Sequence, residues 1–237
     1  MVTNLKLAAL LGVAILLQLG CGGGNGLGPT ETKRQEDKLR DRLPADWSLY
    51  NTGNYAAAIE SFTQTLEQAD LLVGSDGFRN QIKSEAQSGI AWSFFKQQDL
   101  GKSDLAFRQA LQLDSRNADA WVGRAGVAHA LQQFSDSIQF AITALDIESD
   151  YDSGARLDGG GRDLSHDNFD SRHVRILLAE SYFQLGRYSA LDRPDPNNAS
   201  AQLRLIRGQF QFRDPGHLLQ NISEEATSLL QESSNSL

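Results

Sequence analysis

The sequence predicts an all-α chain, and three observations carry the prediction. Between Ser84 and Ser149 the pattern of apolar and small residues recurs after 34 residues. Ala91 falls on Ala125, Leu100 on Phe134, Ala110 on Ala144, Leu111 on Leu145 and Leu113 on Ile147. Within each copy the apolar residues stand three and four apart, which places them on one face of a helix. Each copy also breaks once, at Gln97-Gln98-Asp99 or at Gln132-Gln133, so it reads as two helices joined by a short polar turn.

Taken in order, the chain opens on Lys6, an apolar run from Leu7 to Leu17, and Gly20 before Cys21. That run is shorter than the about 20 apolar residues a membrane span needs, and it fits the central part of a secretory signal. Thr30 to Leu43 is charged, with Leu39 and Leu43 its apolar residues. It is either a solvated helix or a continuation of the glycine-rich tether before it, and Leu43, preceding a proline, is biased away from helix. A first helical pair is expected to start near Pro44, since proline suits the first turn of a helix. Its first helix holds Trp47, Leu49 and Tyr50; its second, Ala56 to Gln68, is apolar at Ile59, Phe62 and Leu66. Leu71 to Ile82 is a turn-rich insert or an elongated helix end. After the two clean copies, Asp150 to Ser171 carries four glycines and six aspartates and reads as loop. Leu178-Ala179, Tyr182 and Leu185-Gly186-Arg187-Tyr188 form another first helix and turn, whose second helix Pro194 and Pro196 cut short. Leu203, Ile206 and Phe210 share a face, and Leu218, Leu219, Ile222, Ala226, Leu229 and Leu230 give a last amphipathic helix before a polar tail.

A 34-residue period of helix–turn–helix content is the signature of the tetratricopeptide repeat. This chain resembles that family in the small residues Ala91 and Ala125, the apolar Leu100 and Phe134 after the turn, and the late Ala-Leu pairs. Gly53-Asn54-Tyr55-Ala56 resembles the same turn, with an 11-residue insert before the next copy, and Tyr188 follows Phe134 with a 20-residue insert. The resemblance implies a short right-handed α-solenoid over residues 44–193, about three repeats and a partial fourth, with inserts near 71–82 and 150–171. Helices within 194–231 would cap it, and 232–237 would be a polar tail. Leu17-Gln18-Leu19-Gly20-Cys21 resembles the lipobox of bacterial lipoproteins. That implies a signal peptide over 1–20, acylation of Cys21, a flexible tether and charged linker over 21–43, and anchoring by more than one acyl chain. With Gly22 after the cysteine, the family's sorting habit implies the periplasmic side of an outer membrane.

Enzyme chemistry finds no foothold. His129, His166, His173 and His217 form no close metal pair, Cys21 is the lone cysteine, and neither HExxH nor GxSxG occurs. Gly159-Gly160-Gly161 lacks the Lys-Ser/Thr of a phosphate cradle. No catalytic residue, metal site or cofactor is therefore assigned. Asp150, Asp152, Asp158 and Asp163 offer hard oxygens to calcium, but Gly154 and Gly161 stand where an EF-hand needs ligands. The formal charge of −8 argues against nucleic acid and against an anionic membrane face as partner.

The resemblance implies instead a concave groove lined by the first helices. Its places fall on Trp47 and Tyr50, Trp92 and Phe95, Gly126 and His129, and Glu180 and Phe183. Aromatics are over-used at interface hot spots, and Glu85, Asp119 and Glu180 would select a basic protein or peptide. The expected function is a membrane-anchored scaffold lipoprotein of the cell envelope that binds another protein. Two alternatives compete. The aromatics pack on neighbouring helices or the inserts fill the groove; or the chain is an accessory domain of an envelope enzyme or glycan-processing system, with a metal or sugar site at 150–170.

Overall fold

Local chemistry sets most of the helix starts. The side chains of Asn54, Asp99, Asn117 and Asn198 each accept the backbone N–H three residues on, which satisfies a donor the first helical turn leaves free. The computed structural model describes residues 29–72, 76–156, 161, 163–189 and 197–235. The leader, Cys21 and the tether through residue 28 lie outside the described residues, as do Asp158, Gly159, Gly160, Pro194 and Pro196. The helices are α1 (Pro29–Asn51), α2 (Tyr55–Asp70), α3 (Asp76–Lys96), α4 (Leu100–Leu113), α5 (Ala118–Ala130), α6 (Phe134–Ile147), α7 (Ser171–Gln184), α8 (Ala199–Arg207) and α9 (Pro215–Asn235). Among the described residues there is no strand; an isolated antiparallel bridge joins Asp152 and Asp170, and a 3-10 turn spans Ser153–Ala155. The fold is all-α.

Four turns carry a residue in the left-handed region at matching places: Gly53, Gln98, Gln132 and Gly186. They follow α1, α3, α5 and α7 at the offsets the repeated pattern sets. Each helix from α1 to α7 packs on the next in sequence. The first helices α1, α3, α5 and α7 also touch one another as a row. Two glycines in α3 and α5 let each pack closely on the helix before it: a Cβ on Gly89 would overlap the Phe62 ring of α2, and one on Gly123 the Phe107 ring of α4. Phe62 and Phe107 are fully buried. The repeat also recurs in polar contacts, since Ser103 Oγ donates to the Ala91 carbonyl at 2.9 Å and Ser137 Oγ to that of Ala125 at 3.0 Å.

The structure departs from the sequence expectation in three places. First, α1 starts at Pro29 and runs through Pro44 rather than beginning there. Leu39 and Leu43 are buried in the core with Trp47 and Tyr50, so the stretch assigned to a charged linker is helix with a packed face. Proline removes one helical hydrogen bond at that point, and the buried stripe outweighs it. Second, the 71–82 insert resolves as a longer α3, begun at Asp76. Third, α8 takes the place of the interrupted second helix beside α7. The N–H groups of Ala199 and Ser200 donate to the carbonyls of Arg187 and Tyr188, both at 3.0 Å. The last helix continues to Asn235, through part of the expected tail, and packs more on α7 than on α8.

Candidate functional site

The side chains expected to line a groove divide between two environments. Trp47, Tyr50, Glu85, Trp92 and Asp119 are buried, each at most 8% exposed. What covers them is the chain's own segment from Tyr151 to Phe169. That segment closes on itself around Ser153, whose N–H donates to the Phe169 carbonyl at 2.6 Å and whose Oγ donates to that of His166 at 2.6 Å. Asn51 Nδ2 donates to the Ser165 carbonyl at 2.9 Å and ties the segment to the end of α1.

Two tryptophans begin the polar network beneath it. Trp47 Nε1 donates to Glu85 Oε1 at 2.9 Å and Trp92 Nε1 to Asp119 Oδ2 at 3.0 Å. In both bonds the indole of one first helix reaches the carboxylate of the next. Arg156 then lies between the two acids, 2.5 Å from Glu85 Oε2 and 3.4 Å from Asp119 Oδ2. Asp119 Oδ1 accepts from Tyr151 OH at 2.6 Å and meets His166 Nε2 at 2.9 Å. The His166 ring stacks on Trp47 with centroids 4.4 Å apart and planes 6° from parallel, the geometry in which an imidazolium gains from an indole face. Asp167 accepts from Tyr50 OH and pairs with Lys96 at 2.6 Å.

Electrostatics follow from this balance. Burial works against ionising Asp119, but Arg156 and His166 beside it hold its carboxyl below the usual range. Burial likewise disfavours a charged His166, yet Asp119 and then Asp167 raise its pKa above the ordinary imidazole value. Burial also works against the Arg156 charge, and the carboxylates of Asp119 and Glu85 overcome it. Three carboxylates thus meet Arg156, Lys96 and His166, a composition that tolerates burial because each group has a partner of opposite tendency.

The other half of the row stays partly open. Phe95, Gly126, His129, Glu180 and Phe183 are each half-buried, and α9 crosses over them. Between α9 and the faces of α3, α5 and α7 lie two adjoining cavities. One of about 280 Å³ is bounded by Trp92, Phe95, Leu177 and Leu229; one of about 360 Å³ by His129, Phe183, Leu219 and Ile222. Glu180, Ala226 and Leu230 border both.

Arg156, His166, Tyr151 and Asp167 have no counterpart in the repeat, so periodicity could not find them. A weaker sign was present: Tyr151, Leu164 and Phe169 are large apolar residues in a Gly/Asp-rich segment, where a purely solvated loop has no use for them. Of the aspartates read as possible calcium ligands, Asp152 and Asp163 accept backbone N–H groups of Gly154 and Ser165 at 2.8 Å, and Asp158 lies outside the described residues. Among the described residues no three His, Cys, Asp or Glu side chains gather as metal ligands, and no helix is long and apolar enough to cross a membrane.

No family model matches the chain, and no curated protein does. Among solved structures, the crystal structure of BtubC (BKLC) from P. vanneervenii aligns over 87% of this chain and 88% of that one, at 15% identity and a TM-score of 0.48.

Proposed function

We propose that the chain is a lipid-anchored scaffold, a short right-handed solenoid of tetratricopeptide-like hairpins that holds a basic partner protein in the bacterial cell envelope. The observation that carries this reading is Arg156 between Glu85 and Asp119. The row of first helices accommodates a guanidinium beside the Trp47 indole, and here the chain supplies that group itself. A partner would present an arginine-bearing segment in exchange for residues 151–169. Charge would select the partner and its register, and the aromatic wall would supply affinity. The lipobox-like residues ending at Cys21 support anchoring, and the acidic body keeps the protein off anionic surfaces.

The test joins anchoring to capture. A photoreactive residue at Leu131 or Leu185, exposed leucines at equivalent turn positions, is expected to trap one envelope protein in cells. Adduct formation should fall with added salt and with a synthetic peptide of residues 151 to 169. Cys21→Ala should release the protein from membranes and lose the adduct. An adduct insensitive to both salt and peptide would count against the proposed row, and a membrane-bound Cys21→Ala protein against the anchor.

A further inference from the structure

The cleft beneath α9 has a feature that packing leaves unexplained. One chamber is almost wholly apolar, walled by Trp92, Phe95, Leu177 and Leu229; the other sets Phe183 and Ile222 beside the polar His129, Gln184, Ser223 and Thr227. Glu180 stands where the chambers meet, and its carboxylate receives no hydrogen bond from a described residue. The nearest basic group is His129 Nε2 at 3.5 Å. That nitrogen is buried and has no hydrogen-bond partner. Buried polar atoms are ordinarily satisfied, so this nitrogen, beside a Glu180 side chain about 35% exposed at the edge of an apolar chamber, marks a place for a donor.

The donor's chemistry follows from the pair. A carboxylate accepts only, and a neutral imidazole protonated at Nδ1 accepts through Nε2. Burial lowers the pKa of His129 and so disfavours its charged form, and it raises that of Glu180, an effect an adjacent cation would offset. One group with several N–H bonds and a positive charge serves both acceptors and offsets the carboxylate: a primary ammonium. The aromatic and aliphatic walls call for an apolar body attached to it, and pockets of this kind bind by burying such a body around a few placed polar groups. We infer that the cleft between α9 and the faces of α5 and α7 binds a small primary amine with an apolar body, its ammonium donating to Glu180 and His129 Nε2 and its body filling the chamber beside Phe95 and Leu229. The site meets the buried Arg156 network only through the shared Trp92 and does not depend on the scaffold reading.

Phenethylammonium chloride is a suitable probe, titrated into the full-length protein and followed by calorimetry and by tryptophan fluorescence, since Trp92 lines the chamber. Saturable binding is expected. Phenethyl alcohol and phenylacetate, which share the ring but lack the cation, should bind at least about tenfold more weakly, the scale of a lost charge-assisted hydrogen bond. Glu180→Gln should weaken phenethylammonium by a similar factor without lowering the melting temperature. Ala226→Leu, which projects bulk into both chambers, should block binding and leave Glu180 in place. The inference is overturned if the amine does not saturate, if the alcohol binds equally well, or if folded Glu180→Gln binds like the parent. The comparison of the three probes on the parent protein decides the matter even where a variant fails to fold.

Discussion

Asp119 shows most plainly how single side chains hold the inserted segment. Its two oxygens meet Trp92, Tyr151, His166 and Arg156 from three separate stretches of chain. Asp119→Asn keeps the shape but leaves Arg156 and His166 short of a counter-charge in a buried place. Breaking a buried ionic cluster from one side costs about 3–5 kcal/mol, so urea denaturation of Asp119→Asn should show a loss of that order. His166 sets the pH behaviour. Its folded pKa is raised, so its contribution is fully present below the unfolded imidazole value of about 6.5 and is lost as pH rises through the folded value. Asp119 and Asp167 have lowered pKa values, and their contribution is lost as pH falls through the acid range. Stability should therefore decline on both sides of a mildly acidic optimum. His166→Gln should abolish the alkaline decline and keep the acid one, as melts across the pH range would show.

The helical hairpins are where sequence and structure agree best, and the turns show why. Tight turns need one residue in the left-handed region, and the 34-, 45- and 54-residue offsets land on Gly53, Gln98, Gln132 and Gly186 without exception. Two of the four are glutamines, which enter that region at a cost of about 1–2 kcal/mol, so residue type alone would have missed them while spacing did not. Close packing gives a direct test at this scale. Gly123→Ala puts a methyl group into the Phe107 ring, an overpacking that costs about 1–3 kcal/mol; Phe107→Leu in the same chain should recover part of it. Thermal melts of the single and double variants would measure both changes. The extent of α1 was also written in the chain, because Leu39, Leu43, Trp47 and Tyr50 stand at helical spacing. The bias of a residue before proline argued the other way, and burial of that stripe prevails. That an insert fills the groove was an open alternative in the sequence, but the contacts that fill it were not legible. Arg156 lies 71 residues from Glu85 and His166 47 from Asp119, and no periodic pattern ties such pairs together.

The molecule as a whole combines a repeated frame with two additions, α9 and the 151–169 segment, and both lie on the row of first helices. The frame's own contacts, Phe62 with α3 and Phe107 with α5, involve neither addition. It follows that the segment can be removed with the frame intact. The bridge between Asp152 and Asp170 keeps the two ends of the excision together, so a short Gly/Ser linker in place of residues 153–168 closes the gap with little loop entropy. Without the segment, Glu85, Asp119 and the two indoles face water, which hydrates the acids that Arg156 and His166 had paired. The excised protein should keep its helical circular dichroism and a cooperative but earlier melt. It should then bind a fluorescent peptide of residues 153 to 168 in solution, more weakly at high salt because the contact is ionic. A peptide carrying Arg156→Ala should bind at least about tenfold more weakly, since it leaves Glu85 without its counter-charge. If excision abolishes cooperative unfolding, the segment is core and no partner exchanges with it. If the protein folds but ignores the peptide, the acidic row does not recognise an arginine segment supplied from outside.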